Sequence, residues 1–239
     1  MPDRYLYLLV DSLCLLFPLI FTFHPKIRFY RHWRSFFVPC LVTAMVFILW
    51  DALFTAKGIW SFNDRYLLGI YLLGLPLEEY LFFIFIPYAC VFLYYNITRF
   101  YTIPVTGRSV ANGTVLFICV LAFMAIIYMP LLYTSVTFLL LAALLTLLLV
   151  LRASFLPAFY ISFLVTLIPF FLSNGVLTGA VTPQPVVIYN DSYNLGIRLV
   201  TIPIEDTFYG MAMLLMNIAG FEYMKGLAHR PVAVASSTV

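Results

Sequence analysis

Long apolar runs separated by short polar stretches set the plan of this chain. The runs lie near residues 5–23, 35–54, 67–95, 113–129, 131–151, 156–174 and 196–219. Each approaches the roughly 20 residues that a helix needs to cross a hydrocarbon core about 30 Å thick. The pattern predicts an all-α polytopic membrane protein with about seven transmembrane helices. Pro130 marks a tight turn between the fourth and fifth runs. Pro76 and Pro203 stand inside the third and seventh runs, where each predicts a kink or a shorter helix that starts at the proline. The first run holds Asp11 and ends in Phe23-His24-Pro25, so it reads as a retained span rather than a cleaved leader.

Composition agrees with this pattern. The chain is 64% hydrophobic and 10% charged, whereas a soluble domain is nearer 45–50% apolar and about 25% charged. The formal charge of +3 is spread over loops, which predicts no nucleic-acid partner. Cys14, Cys40, Cys90 and Cys119 each stand alone in an apolar run, as small buried hydrophobes do. His24, His32 and His229 fall outside the spans, so no histidine cluster for a di-iron centre is expected. Lys225 lies beyond the last span, where it could not hold a retinal. Neither metal nor cofactor is expected.

Basic residues give the orientation. Lys26, Arg28, Arg31, Arg34, Arg99, Arg108, Arg152, Lys225 and Arg230 fall on one side, and Arg4, Lys57, Arg65 and Arg198 on the other. The positive-inside rule then puts the C-terminus in the cytoplasm and the N-terminus outside, in a cell (inner) membrane. Asp11, Asp51, Asp64, Glu78, Glu79, Asp191, Glu205 and Asp206 gather toward the outer ends of the spans, and Glu222 lies on the other side.

The chain repeats itself. NDRYLLGIYLLGLPLEEYLFF from Asn63 aligns without a gap to NDSYNLGIRLVTIPIEDTFYG from Asn190, at an offset of 127 residues. Asn63/Asn190, Asp64/Asp191, Tyr66/Tyr193, Gly69/Gly196, Pro76/Pro203 and Glu78/Glu205 are identical pairs, and Glu79 matches Asp206. Upstream, Asp51 matches Asn174 and Thr55 matches Thr178. Spans one to three thus correspond to spans five to seven, with span four as a connector. An even number of crossings separates the copies, so this is a parallel repeat about an axis along the membrane normal. The expected division is a first repeat over 1–112, a linker helix over 113–130, a second repeat over 131–225 and a disordered tail over 226–239.

Charged groups inside a bilayer are costly, about 2.5–3.5 kcal/mol each on insertion scales, and mark functional sites. Paired carboxylates can hold and pass protons as a set. If helices start at the prolines, Glu78 and Glu205 sit in first turns. Neighbouring helical residues point about 100° apart. The expectation is that Glu78 and Glu205 face a shared cavity while Glu79 and Asp206 orient them. Phe82 and Tyr209, four residues after Glu78 and Glu205, share their helical faces. Asp51, Asn174, Asn63, Asp64, Asn190 and Asp191 are candidate supporting residues. Trp50, Trp60, Tyr66, Tyr80, Tyr193 and Phe208 lie close in sequence. Many of these aromatics, Trp60 above all, read as an interfacial belt.

The doubled motif, PLEE at Pro76 and PIED at Pro203, on seven apolar spans resembles the integral-membrane lycopene β-cyclases. These are the heterodimeric bacterial type and its fused forms, related to the cyclase domain of the fungal bifunctional cyclase/phytoene synthase. The resemblance covers both repeats. It implies catalytic carboxylates at Glu78, Glu79, Glu205 and Asp206, with Pro76 and Pro203 shaping the turns. It also implies a carotenoid substrate (lycopene or γ-carotene), the lipid bilayer as medium, and other carotenoid-biosynthesis enzymes as candidate partners. Asn174 departs from its acidic counterpart Asp51. No GxGxxG fingerprint occurs, so the flavin-bearing soluble cyclases are excluded.

Two other readings compete. A membrane prenyltransferase would use Asn63-Asp64 and Asn190-Asp191 around magnesium, but neither aspartate has a second one within a helical turn. A transporter of three-plus-one-plus-three helices would share the parallel layout. The scarcity of Ser, Thr and Asn in the spans favours an apolar ligand instead.

Overall fold

The computed structural model describes residues 3–102 and 107–228. Seven helices follow the apolar runs: α1 (Leu6–Thr22), α2 (Trp33–Ala56), α3 (Leu77–Phe100), α4 (Gly107–Ile127), α5 (Leu132–Val150), α6 (Leu156–Leu177) and α7 (Ile204–Ala228). Among the described residues, six are long and apolar enough to cross a membrane. The seventh, α7, is 25 residues long and carries Glu205, Asp206, Glu222 and Lys225. Leu13, Phe17, Met45, Leu49, Phe123 and Leu172 lie exposed on the outside, while Asp11, Asp51, Glu78 and Glu205 are buried. Apolar outside and acidic inside is the distribution that a hydrocarbon solvent selects.

Residues 67–76 and 196–203, expected to open the third and seventh spans, are not helical. They form two small hairpins, β2 (Tyr71–Leu72) with β3 (Leu75–Pro76), and β5 (Arg198–Leu199) with β6 (Ile202–Pro203). Pro76 caps α3 at φ −67° and ψ 153°, an extended conformation that proline favours. Inside a helix its missing N–H and its ring would break the ladder, so the helix begins just after it. Leu73 and Gly74 turn the first hairpin with φ of 51° and 80°, the left-handed pair that matches strand twist. The last residues of the expected tail, 226–228, are instead the end of α7. The rest of that tail lies outside the described residues.

The repeat reappears bond for bond. The Leu77 N–H donates to Ile70 O at 2.9 Å, and the Ile204 N–H to Ile197 O at 3.0 Å. Between the repeats, β1 (Trp60–Phe62) pairs antiparallel with β4 (Val187–Tyr189). The Asn63 N–H donates to Val186 O at 2.8 Å, and the Asn190 N–H to Ile59 O at 2.9 Å. Ser61 lies opposite its own counterpart, Ile188, so the pseudo-two-fold axis passes between these strands.

The halves also interlock through their helices. Within repeats α1 packs on α3 and α5 on α7, while α2 crosses to α7 and α6 to α3. The linker α4 lies along α5. At the α2–α7 contact Gly220 meets Pro39, and a Cβ there would stand 2.3 Å from the proline Cβ. Gly220→Leu is therefore expected to cost about 1–3 kcal/mol by overpacking, read as a lower thermal midpoint in detergent. Gly226→Leu on the same helix, where a Cβ meets nothing within 4 Å, leaves the midpoint in place.

Candidate active site

Because α3 and α7 begin directly after their prolines, each presents two acids in its first turn. The four carboxylates divide by face. Glu78 and Glu205 are fully buried and turn away from the central cavity. Glu78 Oε1 accepts the Leu68 N–H at 2.7 Å, and Glu205 Oε1 accepts the Leu195 N–H at 2.8 Å. Thr134 adds a hydroxyl to Glu205 Oε1 at 2.6 Å. These two acids therefore pin the loop before each hairpin to the helix after it.

Glu79 and Asp206 line the cavity, so these two, and not Glu78 and Glu205 as expected, face it. The reason is the loop. Its inward-turned N–H groups lie on the side that the first acid faces, and an unpaired N–H in a bilayer is costly. Tyr7 donates to Glu79 Oε1 at 2.5 Å, and Tyr133, at the matching place on α5, donates to Asp206 Oδ1 at 2.6 Å. Asp206 Oδ2 accepts two more bonds, from Tyr189 at 2.7 Å and Asn174 at 3.0 Å. Burial, and then Asp206 beside it, hold the Tyr189 phenol well above the usual tyrosine range, so it remains a donor.

The cavity measures about 630 Å3, within the span of small-molecule sites. Apart from these acids and their partners, its walls are mostly aliphatic and aromatic. Trp60, Tyr133, Tyr189 and Tyr209 form a cage. Ring centroids lie 5.1 Å apart for Trp60–Tyr133, 6.1 Å for Trp60–Tyr189 and for Tyr133–Tyr189, and 6.3 Å for Tyr133–Tyr209. Aromatic faces arranged in this way stabilise cations. Asp51 lies within electrostatic range of Glu79 on the cavity wall. Asp11 is fully buried on the same wall, and neither of its oxygens has a partner among the described residues.

Of the other expected residues, Asp51, Asn174, Phe82 and Tyr209 line the cavity, and Pro76 and Pro203 set the helix starts. The pairs Asn63-Asp64 and Asn190-Asp191 do not reach it. Asn63 donates to Pro185 O and Asn190 to Gly58 O, each at 3.3 Å, across the repeat seam. Asp64 accepts from Tyr71, and Asp191 pairs with Arg198. Trp60 is 5% exposed and stands over the acids, not in an interfacial belt. Tyr7, Tyr133 and Tyr189 were not expected, and Asp11 was expected only as one of the acids gathered toward the outer ends of the spans. Aligning α1 on α5 would have paired the two helix-borne tyrosines, since Tyr7 and Val10 match Tyr133 and Val136.

Removing a brace leaves a buried N–H unsatisfied, at about 1–3 kcal/mol. Glu78→Ala and Glu205→Ala are expected to lower the thermal midpoint in detergent. Glu78→Gln and Glu205→Gln, which keep an acceptor oxygen, lower it less.

A family model described as lycopene cyclase matches residues 4–97 and 130–224. No curated protein and no solved structure matches the chain.

Proposed function

The chain belongs to the lycopene cyclase family, and we propose that it closes β-ionone rings on linear carotenoid ends by acid–base catalysis. Family membership supplies the carotenoid substrate and the membrane setting. The observation that carries the mechanism is one apolar, aromatic-lined cavity faced by a carboxylate from each repeat, each tied to a tyrosine.

The proposed sequence starts with proton transfer to C2 of the terminal double bond. The cation forms at C1, and the C5=C6 bond attacks it to make the C1–C6 bond. The charge passes to C5, and loss of the C6 proton restores the C5=C6 double bond. One proton enters and one leaves, so the reaction is an isomerisation without net redox change, an intramolecular lyase reaction. Glu79, with a single donor among the described residues and with Asp51 and Asp11 nearby, acts as the acid. Asp206, on which three donors converge, takes the proton back. The cage of Trp60, Tyr133, Tyr189 and Tyr209 shields the cation between these steps. Glu78 and Glu205 act through the loops they hold and not on the substrate.

In this reading the two repeats build one composite site, and lycopene or γ-carotene presents one end at a time. Expressed in a bacterium that accumulates lycopene, the wild-type chain is expected to yield cyclised carotenoid on chromatography. Glu79→Gln and Asp206→Asn each lose about 10²–10⁴ of the rate, the usual share of a general acid or base. Half the wild-type activity in each single variant would instead indicate two independent sites.

We also propose that the acids face the outside of a cell (inner) membrane. Lys26, Arg28, Arg31 and Arg99 border one hollow, and Lys225 joins Arg99 in the next, which supports a cytoplasmic C-terminus. A fluorescent reporter fused at the C-terminus should mature inside the cell; a reporter active only outside would reverse the orientation.

A further inference from the structure

The two repeats are alike around the acids and unlike beneath them. The cavity does not follow the pseudo-two-fold axis downward. It runs to one side, along Ile86, Pro87 and Cys90 of α3, and ends among Leu13 and Phe17 of α1 and Leu172 of α6. Those last three side chains are 59%, 62% and 70% exposed. In a bilayer they face lipid. The acid site therefore has a lateral mouth between α1 and α6.

Symmetry would place a second mouth between α5 and α2, and on that side large aromatic side chains of α2 and α3 stand where the open side has small ones. Two exchanges of size account for it. Ser173 of α6 corresponds to Trp50 of α2, and Gly210 of α7 corresponds to Phe83 of α3. Trp50 lies 5.7 Å from Phe47 and 5.2 Å from Tyr209, centroid to centroid, and Phe47 lies 6.3 Å from Phe83. Below this plug, the Gly220–Pro39 contact brings α2 hard against α7. On the open side, the places of Gly220 and Pro39 are taken by Leu93 and Ser162.

We propose that the α1–α6 mouth is the single lateral portal of the site, and that it admits the end of a linear apolar isoprenoid directly from the hydrocarbon core. The occupant follows from continuity: the rim side chains Leu13, Phe17 and Leu172 are apolar and exposed, the walls beyond them are mostly apolar, and the cavity leads to Glu79, Asp206 and the aromatic cage. With one portal and one site, a substrate with two reactive ends has to withdraw and return reversed before its second end is closed.

This inference rests on the cyclase reading, and the test separates the two. Leu172→Cys is placed at the rim, and Leu49→Cys at its counterpart on the plugged side, 62% exposed. Each is made with Cys119→Ser, since Cys119 is an exposed thiol. The proteins are folded first and then alkylated with a bulky pyrene maleimide, so folding is not at issue. Turnover of lycopene is measured in liposomes against the equally treated Cys119→Ser protein. Alkylation at position 172 is expected to cut turnover by about tenfold or more, as hindered access becomes limiting, and alkylation at position 49 to leave it unchanged. Equal effects at both positions, or none at 172, would overturn the portal while leaving the cyclase reading intact. If the unmodified protein does not cyclise lycopene, the cyclase reading itself fails.

Discussion

A carboxylate in a bilayer has to find its hydrogen-bond donors within the protein, because hydrocarbon supplies none. Much of this structure follows from that constraint. Each repeat ends its approach loop with a proline, starts a helix there, and sets two acids on the first turn. One acid takes a backbone N–H from the loop, and the other takes a phenol from the repeat's first helix. The first bond fixes the hairpin, and the second fixes the helix pair. The acids are thus fastenings of the elements around the cavity, and two of them face into it.

The site also depends on where the halves meet. Trp60 and Tyr189 are partners across the β1–β4 pair, so the strands that join the repeats also carry part of the cage. Asn63 and Asn190 then tie the loops over the seam. This explains why the motif around Asn63 repeats so faithfully without any of its first residues reaching the cavity. It is needed to hold the roof in register.

The helices, the repeat and the acidic motif were legible in the sequence because they rest on hydropathy, period and identical polar pairs. The helix starts were less so. Residues 67–76 and 196–203 are apolar enough to pass for membrane spans, and only the prolines and the left-handed glycines distinguish them. The inward acid was misplaced because face cannot be read from spacing when two acids are adjacent. It was decided by the N–H groups of Leu68 and Leu195, ten residues upstream. Trp60 reads from sequence as a belt residue and Tyr189 carries no signal at all, for a similar reason: they lie on three-residue strands whose pairing joins distant parts of the chain.

The β1–β4 seam has a further consequence for how such a molecule evolves. Its bonds run between backbone groups, and backbone groups are the same whatever side chains they carry. Two halves joined in this way recognise each other through the main chain. Side chains away from the seam and from the Gly220–Pro39 contact can then differ between the halves. Phe83 against Gly210 and Trp50 against Ser173 are differences of this kind. A scaffold with a symmetric joint thus carries an asymmetric cavity, lined by side chains of both halves.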